Sequence, residues 1–152
     1  MGVVRAGYAF ITLVNRTLRQ HDLSAAGRET LAVLDGAEGP LSPGVIAERL
    51  IVTAATITTV LDTLERRGMV ERTIDQADRR RQIVSITPAG RDAVDAFLPQ
   101  IVALQTELMR GFSEDERTQL TAYLDRVRAA LIELEERADD VVSSARPRRR
   151  KA

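Results

Sequence analysis

Thr53, Ala54, Ala55, Thr56, Thr58, Thr59 and Thr63 place small and hydroxylated side chains along eleven residues. Threonine hydroxyls hydrogen-bond bases or phosphates, and alanine and threonine methyls fit against thymine methyls. No acidic side chain stands between Thr53 and Leu61, so no carboxylate there repels phosphate. Further on, Asp78-Arg79-Arg80-Arg81 gathers three guanidinium groups behind one carboxylate. Arginines on a projecting loop suit the narrow, electronegative minor groove and its phosphate walls. Asp78 can pair with a neighbouring arginine and hold the loop in shape. The two segments suit two tasks on duplex DNA, reading base edges and gripping the backbone. Each alone has a plainer reading as solvated helix face or solvated charge run.

Other chemistry lacks its raw materials. The 152 residues contain no cysteine, which excludes disulfides, thiolate metal sites and thiol redox switches. One histidine, His21, is too few for a histidine metal site or a catalytic triad, and it reads as a surface residue near a helix end. No nucleophile–base pair or glycine-rich phosphate loop is visible, so the chain reads as a non-enzyme needing no cofactor or metal. No apolar run approaches the roughly 18 residues that span a bilayer, and Asn15 and Arg16 interrupt the opening segment. The expectation is no membrane association and a cytoplasmic location.

Net charge is zero, but the charges are segregated. Residues 65–81 hold six arginines against four acids, 113–140 hold nine acids against four arginines, and 146–151 hold five basic groups. A nucleic-acid binder needs a local basic surface more than a high pI.

Helical and strand periods give the elements that must position these residues. A first helix, about 3–20, carries two apolar stripes, Val4/Tyr8/Ile11/Leu18 and Val3/Phe10/Val14, and reads as sandwiched. Ser24 caps a helix over about 25–36, with Leu31, Val33 and Leu34 inward. Ser42-Pro43 starts a short helix, about 43–50, with Ile46 and Leu50 inward. The turn Ile51-Val52-Thr53 leads into a helix over about 54–67 that buries Ile57, Val60, Leu61 and Leu64 and stops at Gly68. Met69–Thr73 and Gln82–Ile86 read as strands with Val70, Val84 and Ile86 buried, joined by the polar loop 74–81. Thr87-Pro88 starts a helix to about 111 with Val94, Phe97, Ile101, Leu104 and Leu108 on one stripe and a kink at Pro99. Ser113-Glu114-Asp115-Glu116 is a capping box opening a helix with Leu120, Leu124, Val127, Leu131 and Leu134 at heptad spacing. Tyr8, Phe10 and Phe97 read as core aromatics, though they could line an effector pocket.

The fold class expected is mainly α with a small two- or three-stranded antiparallel β wing, that is, a winged helix-turn-helix with a helical dimerisation region. Residues 1–22 and 88–140 form the dimerisation region and 23–87 the DNA-binding region. Residues 141–152 form a disordered basic tail, either adding non-specific DNA affinity or simply solvated. The dimer face comprises Val4, Tyr8, Ile11, Leu120, Leu124, Val127, Leu131 and Leu134. The second helix of the pair enters the major groove with its N-terminal residues at base edges.

Ala47-Glu48-Arg49-Leu50, Thr53-Ala54-Ala55-Thr56-Ile57-Thr58 and Leu61 through Arg72 resemble the MarR family of bacterial transcription regulators, as does the wing, Asp75 through Gly90. The order of elements resembles the family over about 3–137, and the residue match is concentrated in 42–90. The resemblance implies a homodimer held by the first helix and the last two, with two recognition helices on a palindromic operator. Many members of the family release DNA when a small, often aromatic or phenolic, anion binds between the dimer and DNA-binding regions, and the 42–90 segment points to a repressor that blocks a promoter by occupancy. Relatives often carry arginine or another long polar residue where this chain has Thr59, and many carry a basic residue where it has Ala77; either Arg79 or Arg81 fills that place or the wing grips less tightly. Cysteine-based peroxide sensing cannot operate here. The competing reading is a winged-helix protein-interaction module without DNA binding, favoured by the short side chains at 53–63 and the zero net charge. Operator, regulated genes, effector and the choice between repressor and activator are not readable from the sequence.

Overall fold

Three hydroxyls start three consecutive helices. In a computed structural model describing residues 2–144, the Ser24 side chain accepts from the Gly27 amide at 3.0 Å and starts α2 (Ala25–Asp35). Ser42 does the same for Val45 and α3 (Pro43–Leu50), with Pro43 at the first position. Thr53 does it for Thr56 and α4 (Ala54–Arg66). Each oxygen satisfies an amide that has no partner within its helix.

α1 (Gly2–Thr17) precedes them and ends earlier than its apolar period suggests, in a 3-10 turn at Arg19–His21. Asp22, at φ 50°, turns the chain out of that segment. β1 (Val70–Ile74) and β2 (Gln82–Ile86) pair antiparallel with Arg72 opposite Val84. The third strand of the wing shrinks to one bridge, Leu41 with Val84, closed by bonds of 3.0 and 2.8 Å. β1 extends one residue beyond its expected end, through Ile74. α5 (Pro88–Leu108) continues through Pro99 without a break, and α6 (Glu114–Ser144) follows. Residues 141–144, expected in a disordered tail, continue α6; the rest of that tail, 145–152, lies outside the described residues.

The described residues form two compact units, one through Glu107 and one from Leu108. In the first, Leu18, Leu31, Ile46, Ile57, Leu61, Leu64, Val84, Val94 and Phe97 are sealed from solvent. Val33, Leu50 and Val60 are half-buried at its margin. On α1, Val14 is buried, as is Leu18 just beyond it, while Val3, Val4, Tyr8 and Ile11 are exposed. Tyr8, read both as a core aromatic and as part of the dimer face, is 76% exposed. The second unit begins with the capping box. Ser113 and Glu116 bond reciprocally through the backbone amide at each end, which holds the Glu116 carboxyl below the usual carboxylate range. Along α6, Leu120 is half-buried, and Leu124, Val127, Leu131 and Leu134 are exposed.

The joint between α4, the wing and α5 is tight. Gly68, at φ 68°, ends α4 by a Schellman arrangement: its amide donates to Glu65 and the Met69 amide donates to Leu64. The Thr87 hydroxyl donates to the Gly68 carbonyl at 2.6 Å and accepts from the Gly90 amide, capping α5. A Cβ at Gly90 would stand 2.2 Å from the Met69 carbonyl oxygen. Gly90→Ala is therefore expected to cost about 1–3 kcal/mol in a urea titration, as overpacking against backbone does; an unchanged midpoint would contradict this packing.

Candidate nucleic-acid interface

Thr53, Ala54, Ala55, Thr56, Thr58, Thr59 and Thr63 are all exposed, on the side of α4 opposite buried Ile57, Leu61 and Leu64. α3 and α4 are joined through Ile51, which adopts a left-handed conformation at φ 55°. That conformation is costly for a β-branched residue, and the end of α3 accommodates it with two backbone bonds, the Ile51 amide to Glu48 O at 3.2 Å and the Val52 amide to Ala47 O at 3.0 Å.

The threonine hydroxyls are already engaged. Thr58 donates to Ala54 O at 2.8 Å, Thr59 to Ala55 O at 3.2 Å and Thr63 to Thr59 O at 3.1 Å. Thr53 and Thr56 bond to each other at 2.9 Å. Their donor hydrogens being committed, Thr58, Thr59 and Thr63 offer methyl groups and oxygen lone pairs to a ligand.

The wing tip is shaped by its aspartates acting on backbone. Asp75 accepts from the Ala77 amide at 2.8 Å, and Asp78 accepts from the Arg80 amide at 3.0 Å. Asp75 and Arg81 close the loop through a backbone bond of 2.9 Å. Asp78 thus holds the tip without the arginine side-chain pairing expected of it, because its carboxylate reaches an amide two residues ahead. Arg79, Arg80 and Arg81 are exposed and make no side-chain bond among the described residues.

The other arginines of 65–81 serve the scaffold. Arg66 bonds Asp62 O and the Thr63 hydroxyl. Arg67 bonds the Asp22 carbonyl and lies 3.7 Å from its carboxylate. Arg72, on β1, faces Asp62 at 2.6 Å and Glu65 at 3.5 Å and donates to Thr58 O at 3.2 Å. Composition alone counts all six as basic surface, and only their bonding separates the two sets.

A cavity of about 260 Å³ lies among α1, α2 and α5, walled by Phe10, Ile11, Val14, Phe97, Leu98 and Ile101. Its polar wall is Asn15, Arg28, Glu29 and Gln105. Arg28 is buried, donates to Leu23 O and Asn15 Oδ1, and has its pKa lowered by desolvation against the opposing pull of Glu29. Burial raises the Glu29 carboxyl, and Arg28 partly offsets the rise. Sequence reasoning misses Arg28, since a lone arginine on a helix carries no spacing signal. His21 is half-buried rather than on the surface: its ring meets Phe97 edge-on at 6.4 Å and bonds Gln100 at 2.9 Å. No cluster of potential metal ligands occurs among the described residues, and no single helix among them is long and apolar enough to cross a membrane.

The wing aspartates give a local test. Asp78→Ala should speed hydrogen exchange at the Arg80 amide and leave global stability within about 0.5 kcal/mol, as expected for an exposed turn. An unchanged exchange rate would mean that Asp78 does not shape the tip.

A family model described as the MarR family matches residues 21–81. The chain is 31% identical over 121 residues to the helix-turn-helix-type transcriptional regulator PecS of Dickeya dadantii, covering 78% of this chain and 73% of that protein. It is 37% identical over 89 residues to YwaE of Bacillus subtilis, an uncharacterised helix-turn-helix-type regulator, covering 59% of this chain. That match spans about half of YwaE's length, 52%. Among solved structures, the Staphylococcus aureus MepR–DNA complex superposes with a TM-score of 0.78 at 25% identity, covering 85% of this chain and 93% of that one.

Proposed function

The chain belongs to the MarR family of winged helix-turn-helix transcription regulators, and we propose that it is a cytoplasmic repressor that binds a palindromic operator as a homodimer and releases it on binding a small aromatic anion. One observation carries the DNA part: an exposed threonine–alanine face on α4 stands in the same unit as a wing tip bearing three unengaged arginines. A similar chain, MepR, has been solved on DNA. α4 meets base edges in the major groove through Ala54, Ala55, Thr58 and Thr59, and Arg79, Arg80 and Arg81 grip the minor groove and its phosphates. Occupancy of a promoter then blocks transcription.

The homodimer reading rests on exposed apolar side chains. Val4, Tyr8 and Ile11 on α1, and Leu124, Val127, Leu131 and Leu134 on α6, are each at least 41% exposed at helical spacing. Apolar stripes of this kind mark an interface, and a second copy covers them. Two-fold symmetry of the protein then calls for two-fold symmetry in the operator.

The effector reading rests on the cavity beside Arg28. Its volume is near the lower end of ordinary ligand sites, which suits a single-ring compound. Phe10 and Phe97 supply apolar walls, and the buried Arg28 guanidinium supplies a partner for a carboxylate or phenolate.

Replacing Arg79, Arg80 and Arg81 together by alanine should weaken binding to every duplex. It should also flatten the plot of log affinity against log salt, by up to about 0.9 for each phosphate that is no longer neutralised. An unchanged slope in fluorescence-anisotropy titrations would sink the wing assignment. For the effector, a panel of benzoates and phenols should include compounds that release DNA from the wild-type chain, and Arg28→Met should abolish the response while still binding DNA. A response that survives Arg28→Met would place the ligand elsewhere.

A further inference from the structure

We infer that Arg72 is a positioning residue for DNA binding, setting where the wing arginines stand relative to the groove-reading face of α4. This rests on the DNA-binding reading above. Arg72 lies on β1 opposite Val84, three residues before the tip begins at Asp75. Its guanidinium reaches three acceptors on α4: the Asp62 carboxylate at 2.6 Å, the Glu65 carboxylate at 3.5 Å and the Thr58 carbonyl at 3.2 Å. Thr58, Asp62 and Glu65 follow one another at steps of four and three, so they line one edge of the helix over two turns. The interaction therefore fixes direction as well as distance, as a planar guanidinium with several bonds does and an ammonium does not.

Thr58 is itself on the exposed face, so Arg72 holds the wing to the backbone of a groove-reading residue. From Arg72 to the end of β1 at Ile74 the strand extends roughly 7 Å, taking about 3.3 Å per residue, and the arginine-bearing loop lies beyond that. A small rotation at the base therefore moves the arginine-bearing tip by several ångströms. Past the joint at Gly68 and Met69, the hairpin's backbone bonds at its base are the β1–β2 pairing and the Leu41 bridge at Val84, and neither ties β1 to α4.

Stability alone does not account for the arrangement. The Arg72 side chain is only 16% exposed, and its Nε is buried with no hydrogen-bond partner among the described residues. A buried charge with an unmet donor carries a desolvation penalty, and removing one partner of an ion pair is costly where the other stays buried; here the carboxylates left behind, Asp62 and Glu65, are 51% and 41% exposed and stay hydrated. Position and stability are therefore separable at this residue. Arg72 is also neutralised by two carboxylates, which removes it from the cations available to phosphate.

The test uses the full chain and a duplex that the wild type selects from a random-sequence pool. Affinity is read by fluorescence anisotropy across salt concentrations, and folding by thermal melting. Arg72→Met should melt close to the wild type, bind about tenfold more weakly and show the flattened salt slope of the Arg79/Arg80/Arg81 triple-alanine variant. Added to that triple variant, Arg72→Met should do nothing further, because the arginines it positions are gone. Additive losses, or an unchanged slope, would overturn the inference.

Asp62→Asn provides a second route that keeps Arg72. Removing a negative charge beside DNA should tighten binding by simple electrostatics, whereas loosening the clamp should weaken it. Weaker binding supports the positioning role and tighter binding overturns it, even if Arg72→Met fails to fold. A wild type that selects no duplex at low salt would instead overturn the DNA-binding reading, and this inference with it.

Discussion

The carbonyls of Gly68 and Met69 are where α4, the wing and α5 are pinned together. Gly68 takes the left-handed turn that ends α4, and Thr87 returns after the whole hairpin to bond both carbonyls, by hydroxyl to Gly68 and by amide to Met69. Gly90 then lets the first turn of α5 rest against Met69 at a separation no side chain would permit. Two glycines and one threonine thus make the start and end of the wing coincide with the end of α4. Val70, Val84 and Ile86 are buried as a consequence, and the hairpin projects from a fixed base. Every feature of the candidate interface depends on that junction.

Charge in this molecule is sorted by bonding within one short segment. Of the six arginines between residues 65 and 81, Arg66, Arg67 and Arg72 are spent on α4, on Asp22 and on the Asp62–Glu65 edge. Arg79, Arg80 and Arg81 extend from a loop that two aspartates shape through backbone amides. A zero net charge is compatible with this division, because the fields that matter at a phosphate surface are local and screened within about 8 Å at physiological salt. The proposed α4 surface fits the same division: with no long cation on its exposed N-terminal face, the proposed grip falls to the wing and the proposed discrimination to methyl groups and lone pairs.

Most of the architecture was legible because its signals are local. Ser24, Ser42 and Thr53 each mark a helix start within one turn, and the switch from helical to alternating period at Gly68 marks the wing. The misreadings share a cause. His21 is polar in pattern and packed on Phe97, and Asp78 bonds an amide instead of a guanidinium. Periodicity reports that a residue has a preferred face, and cannot say which surface that face meets.

The order and type of the elements, the winged helix-turn-helix and the two candidate DNA-facing segments are all written in the chain, because caps, turn residues and apolar spacing act over a few residues. Three things emerge only on folding: which arginines are free, that the threonine hydroxyls are committed to their own helix, and that Arg28 stands in a cavity wall. Arg72 shows the reason. Its neighbours place Arg72 on a strand and Arg79 on a loop but do not say which acceptors either meets; those follow from folding that brings β1 beside an edge of α4 carrying two carboxylates and a carbonyl lone pair.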